Sequence, residues 1–246
     1  MVEQLPDAAS DGSENEAAAE TQWAPPFESA RIRATVVTAL FVLGILLSLF
    51  SISYNLREFQ LVTRMINGEP VTELELDANT LRQQVLFFVM LAQWLALVVA
   101  FLMWVHRAHR NLPALYATEL QYTPRWAVLW YFLPLANLFR PYQVMREVAN
   151  ASLPHDAPEG GWAWRNYNAP ILVKAWWFMF LLSNLIGSTA GRTDAYAKDL
   201  LDFQLASATS AVHETMSIPA AVLATWLVQR VTRHQEERAG IIAATG

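Results

Sequence analysis

The chain has no cysteine. That excludes disulfide staples, thiolate nucleophiles and Cys-ligated metals or clusters, and it leaves the redox compartment open. Charge is also scarce. Only 16% of the 246 residues are Asp, Glu, Lys or Arg, against about 25% in soluble domains. The first 30 residues contain no Lys or Arg but seven acids, for a charge of −7. The other 216 residues hold 17 bases and 15 acids, for +2. No large basic patch exists to neutralise phosphates, so nucleic acid is not expected as a partner. Phosphate-binding loops, nucleophile elbows and dinucleotide fingerprints are absent as well. No cofactor and no metal is expected, and the chain leans away from being an enzyme.

What remains is apolar. Residues of the AVILMFWYC set make up 54% of the chain, with 10 Trp and 12 Phe. This is too apolar for a disordered protein or an ordinary soluble enzyme domain. A spanning helix needs roughly 20 apolar residues. Four segments qualify: 35–53, 85–105, 170–189 and 211–228. The first follows Arg31 and Arg33 and has small residues at Ser51 and Ser53, so a cleaved signal is the alternative to an anchor. Its length and its long acidic leader favour the anchor. The expected architecture is all-α: a polytopic membrane helical bundle of four transmembrane helices with a cytoplasmic re-entrant or interfacial helix pair. It divides into a disordered acidic cytoplasmic tail (1–30), a membrane domain (31–234) and a short cytoplasmic C-terminal tail (235–246).

Orientation follows the basic residues. Arg57, Arg64, Arg82, Arg192 and Lys198 fall on one side, five in all. Eleven arginines fall on the other: Arg31, Arg33, Arg107, Arg110, Arg125, Arg140, Arg146, Arg165, Arg230, Arg233 and Arg238. Lys174 lies at the membrane edge. The richer side is expected to be cytoplasmic, with both termini there. Trp23, Trp104, Trp126, Trp162, Trp164, Trp176, Trp177 and Trp226 fall near that same boundary. They read as a one-sided interfacial belt. On the far side, Asn67-Gly68-Glu69-Pro70 signals a turn. The apolar spacing before it, and that of residues 197–208, reads as helix continuing beyond the membrane or as a docking surface.

Residues 126–139 are apolar but only 14 long, or about 21 Å as a helix. Extending them to residue 144 would bury Arg140 at a cost of about 2.5–3.5 kcal/mol. Pro134 and Pro141 would also break the helix. The segment therefore reads as a short helix, a break at Pro134-Leu135-Ala136-Asn137, and a second helix from Pro141 through Ser152. A fifth span is the alternative. Backbone broken at membrane depth must be covered, so the break is expected to pack between the spans, with Asn137 hydrogen-bonding its freed groups. Residues 154–170, rich in Pro and Gly, read as a cytoplasmic loop.

Several polar residues stand out. Arg107, Arg110, Arg140, Arg146 and Lys174 collect at the cytoplasmic edge, where they enforce topology or hold an anionic lipid or ligand. Glu147 is expected to pair with one of these arginines. His106 and His109 are one turn apart, but the i+3 spacing and flanking Arg disfavour a metal. His213 and Glu214 open the fourth span, where ionisable groups suggest function. Gln93 and Asn184 are expected to bond between helices. Small residues four apart (Gly44/Ser48, Ala92/Ala96/Ala100, Ser183/Gly187/Gly191, Ala220/Ala224) favour close packing, and Pro219 is expected to kink the last helix.

One longer string is specific. Arg110-Asn111-Leu112, then 122–127 (YTPRWA), 130–138 (WYFLPLANL), 141–147 (PYQVMRE) and Ala175-Trp176-Trp177 together resemble a bacterial membrane family known as domain of unknown function family 4328. The resemblance covers roughly residues 81–231. Its motif falls on Arg110, Asn111, Trp126, Pro134, Asn137, Leu138, Pro141, Tyr142 and Glu147. It implies a multi-pass membrane protein and no activity, and it points to the bacterial cytoplasmic membrane. Three functions stay open: a non-catalytic scaffold or regulatory module, a small transporter or channel working as an oligomer, and a lipid-headgroup-binding enzyme. The expected partners are the bilayer, an anionic lipid, and a second copy or another membrane protein.

Overall fold

The computed structural model describes residues 26–154 and 162–245. Nearly all of the acidic tail and the centre of the 154–170 loop lie outside the described residues. Helix α1 is Arg31–Ile66, α2 is Glu73–Arg110, α3 is Pro124–Leu129, α4 is Arg140–Ala151, α5 is Ile171–Ala195 and α6 is Leu200–Thr245. Helices α1, α2, α5 and α6 are each long and apolar enough to cross a membrane. They contain the four segments expected to span. No strand occurs among the described residues, so the fold is an all-α helical membrane bundle.

The helices outrun the bilayer. The 46 residues of α6 extend about 69 Å at a rise of about 1.5 Å per residue, twice a bilayer core. Residues 59–66 and 200–208, outside the expected spans, are simply continuous helix. Asn67-Gly68 ends α1: Gly68 takes φ +74°, its N–H reaches Met65 O at 3.1 Å, and the Glu69 N–H reaches Arg64 O at 3.0 Å. This paired bonding satisfies the last carbonyls and needs a residue without Cβ at the left-handed position. Thr72 then starts α2 through a reciprocal cap with Glu75. α6 continues through Pro219.

Helix α6 packs against both α1 and α5, and α2 packs against α1. At midlength Gln93 of α2 donates to the Leu40 carbonyl of α1 at 2.9 Å, beside Gly44, where a Cβ would stand 3.0 Å from the amide nitrogen. Asn184 does not bond between helices. It is exposed and donates to Phe180 O of its own turn at 2.7 Å, because it points away from α6. Large apolar side chains such as Phe50, Phe88, Trp94 and Phe178 face outward along the spans, as a lipid-facing surface requires.

The continuous core lies at one end, among Val37, Trp104, Val144, Val148, Trp176 and Val228. The tryptophans expected as an interfacial belt divide here. Trp104, Trp164, Trp176 and Trp177 are buried, whereas Trp126, Trp162 and Trp226 are exposed. Phe101 stands 5.7 Å from Trp104 and 6.2 Å from Trp176, centroid to centroid. Much of the aromatic enrichment at this end therefore builds a core rather than an outer girdle.

Residues 126–152 hold two short helices, neither long enough to cross a membrane. The break between them is not packed between the spans. Leu135 is 78% exposed and Phe139 64%. The physical reason is that the break satisfies its own backbone. Leu135 adopts φ 64°, ψ −44°, and the Ala136 N–H reaches Pro134 O at 2.7 Å, closing a three-residue γ-turn. The Asn137 N–H bonds Leu133 O at 2.9 Å and the Leu138 N–H bonds Leu135 O at 3.2 Å. The Asn137 side chain, expected to serve this backbone, makes no hydrogen bond among the described residues.

Candidate functional site

Several long-range polar contacts of α4 converge where α1 starts, α2 ends and α6 passes. The centre is a buried hydrogen-bonded pair. His109, in the last turn of α2, places Nε2 2.8 Å from Glu147 Oε1 of α4. Their side chains are 0% and 2% exposed. The second carboxylate oxygen accepts the Gln121 backbone N–H at 2.7 Å. Glu147 therefore pairs with a histidine, not with an arginine as expected from sequence. The reason lies in helix phase: α4 turns Glu147 inward with Val144 and Val148, while Arg146 faces outward. One hydrogen bond joins the His109 ring to this carboxyl group. Its Nδ1 is buried with no partner among the described residues.

Asn111 forms the second node. Its side-chain amide donates to Glu28 O at 2.8 Å and accepts the Glu28 backbone N–H at 3.3 Å, which straps the segment before α1 onto the end of α2. Gln235 of α6 donates to Ala108 O at 2.7 Å and to Ser152 Oγ at 3.0 Å. Arg238 donates to Ala151 O at 2.9 Å and Leu153 O at 3.1 Å. A cation thus meets carbonyls freed at the end of α4, where the helix dipole favours it. The Trp104 indole donates to Thr232 Oγ1 at 3.0 Å. Arg107 pairs with the Glu28 carboxylate. This guanidinium holds the Glu28 carboxyl below the usual carboxylate range. The result is a polar lock joining α1, α2, α4 and α6.

The candidate residues take distinct places. Arg110 ends α2 and is exposed, as is Lys174. Arg140 lies 5.1 Å over the Trp130 ring and donates to Gln143 Oε1 at 3.0 Å. Arg146 reaches Arg165 O at 3.4 Å. These cations line the same end but do not close on one pocket. Trp126 is exposed and sits 5.0 Å from Trp130. Pro134 supplies the γ-turn carbonyl, and the Leu138 carbonyl accepts the Trp177 indole at 3.3 Å. Pro141 is buried in the first turn of α4, and Tyr142 packs against the core. Gln235, Arg238, Thr232 and Glu28 were not singled out from sequence. For the three on α6 the one signal was helical spacing from Val228 and Val231 onward, past the end of the expected span.

A second polar site sits farther along the bundle. Glu214 Oε2 of α6 accepts from Ser48 of α1 at 2.6 Å, and Ser48 is buried. His213 Nδ1 stands 3.1 Å from Ser183 O of α5, with its ring over Gly187.

The family described as Domain of unknown function (DUF4328) matches residues 67–233. The chain belongs to this family. No curated protein and no solved structure matches the chain. The DUF4328 match includes both partners of the buried pair, and Asn111. It begins after α1, so Ser48 and Glu28 lie outside it, as do Gln235 and Arg238. The DUF4328 region thus supplies most of each site, and the flanking residues supply the rest.

Proposed function

We propose that this chain is a non-catalytic membrane module that scaffolds or regulates partners from its cytoplasmic face. The observation that carries this reading is the His109–Glu147 pair. The two side chains best suited to acid–base work at this end are buried against each other, and the remaining carboxylate oxygen is taken by a backbone N–H. These groups fix the α3–α4 platform to the helix ends, and the platform presents Trp126 and Arg146 outward, beside Trp162, for another protein. The lipid-enzyme alternative needs Glu147 open to a headgroup, and its burial gives that reading less support. The test is photocrosslinking in native membranes, with the crosslinker placed at Arg146 and, as comparison, at lipid-facing Phe88. The scaffold reading expects a discrete protein adduct at Arg146 that is lost in Glu147→Ala, and lipid alone at Phe88. Lipid alone at both positions would contradict it.

One observation favours a transporter as second reading. Glu214 lies within a span and bonds a buried serine of another helix, and intramembrane carboxylates commonly mark ion or proton paths. Proteoliposomes loaded with a pH-sensitive dye separate the two. The scaffold reading expects no proton flux above that of empty vesicles. Flux that disappears in Glu214→Gln would select the transporter.

A further inference from the structure

A groove of about 590 Å³ runs between the start of α1, the end of α2 and the face of α3. Its rim carries Arg33, His106 and Arg125. Its walls are Val99, Met103, Leu129 and Phe132, all exposed. None of these belongs to the buried lock, and only the rim is charged. We propose that this groove binds an anionic phospholipid, with the phosphate on the arginine rim and the upper acyl chain along the apolar walls.

The electrostatics select an anion. Three arginines at this end have carboxylate partners: Arg31 with Glu236, Arg107 with Glu28, Arg165 with Glu119. Arg33 and Arg125 have no ion pair or hydrogen bond among the described residues. No carboxylate lines the groove among the described residues. Glu28 acts on Arg33 from a distance, but its oxygens already face Arg107. Arg33 is half-buried, with Arg107 and Arg110 repelling it. A phosphate here would relieve that repulsion and meet both guanidinium forks.

The walls select an amphiphile over a soluble anion. Val99 and Met103 continue the outward apolar stripe of α2 from Phe88 and Leu95. A chain attached to a headgroup on the rim would therefore run down the same face that the bilayer covers. Free phosphate or an acidic peptide would leave those side chains uncovered. Basic pockets between helices at this depth are suited to anionic headgroups.

The test is native mass spectrometry of the full chain in mild detergent, titrated in parallel with dioleoyl phosphatidylglycerol and dioleoyl phosphatidylcholine. The expected result is one phosphatidylglycerol adduct preferred about tenfold over phosphatidylcholine, since each basic contact adds severalfold to anionic-lipid affinity. Arg33→Gln/Arg125→Gln should abolish the preference, and Arg125→Gln alone, at an exposed position, should reduce it severalfold. Arg230→Gln/Arg233→Gln removes the same charge from the same end outside the groove and should leave the preference intact. Equal adducts of the two lipids in the unaltered protein would overturn the proposal. So would an equal loss in the Arg230/Arg233 variant, which would mean diffuse charge. Displacement of phosphatidylglycerol by millimolar sodium phosphate would overturn it in favour of a soluble anion.

Discussion

At the scale of single residues, the decisive group is the Glu147 carboxylate. Removing one partner of a buried hydrogen-bonded pair leaves the other unsatisfied, at a cost of about 1–3 kcal/mol. Glu147→Ala should therefore lower the thermal stability of the detergent-solubilised protein by that order. The His109→Ala/Glu147→Ala double variant should lose much less than the two single losses combined. Additive losses would mean that the pair is not coupled. Glu28 supplies a pH effect of definite sign. Its folded carboxyl sits below the usual range because of Arg107, so its contribution is fully present above that range. The contribution is lost as pH falls through the lowered folded value. Below the usual range, amide exchange at residues 28–30 should rise toward that of Glu28→Gln measured at the same pH, and the two proteins should differ most at neutral pH. The partner of Glu147 was not legible in the sequence. Arg residues outnumber His nearby, and only the phase of α4 against α2 brings position 147 to position 109.

At the scale of elements, the break between α3 and α4 was legible in position but not in setting. Pro134 and Pro141 act locally, so their consequence for the helix could be read directly. Whether the break needed covering depended on its internal bonds, and a γ-turn at Leu135 has no sequence signature. That turn holds a non-glycine residue at positive φ, a cost of about 1–3 kcal/mol. Leu135→Gly should keep or raise stability, because the exposed side chain contributes little packing. Leu135→Val should lower it by about 1–3 kcal/mol, since β-branched residues resist positive φ. The reverse order in thermal melts would rule out the strained turn. Close approach of α5 and α6 gives a second case. A Cβ at Gly187 would stand 2.6 Å from His213 Cε1. Gly187→Ala must displace the ring from Ser183 O, costing about 1–3 kcal/mol, and His213→Ala should rescue most of that loss. The small-residue spacing pointed to such contacts, but not to a histidine as the group that needs the room.

At the scale of the whole molecule, four apolar runs were enough to establish the all-α membrane bundle, because twenty consecutive apolar residues have few other uses. The tryptophans were harder to read. Their concentration at one end was visible, but sequence position cannot separate a ring that faces lipid from one that faces Val37 and Val228. The outcome is a bundle whose continuous core, buried lock and platform gather at one end, with the described start of the chain and the end of α6 meeting there through Arg31 and Glu236 at 3.4 Å. We propose that this end faces the cytoplasm. Because the chain has no cysteine, single-cysteine labelling with a membrane-impermeant maleimide tests it directly. Asn67→Cys, at the turn between α1 and α2, should label in intact cells. Trp162→Cys, beside the platform, should label only after permeabilisation. Labelling of both from the same side, or the reverse pattern, would contradict the account.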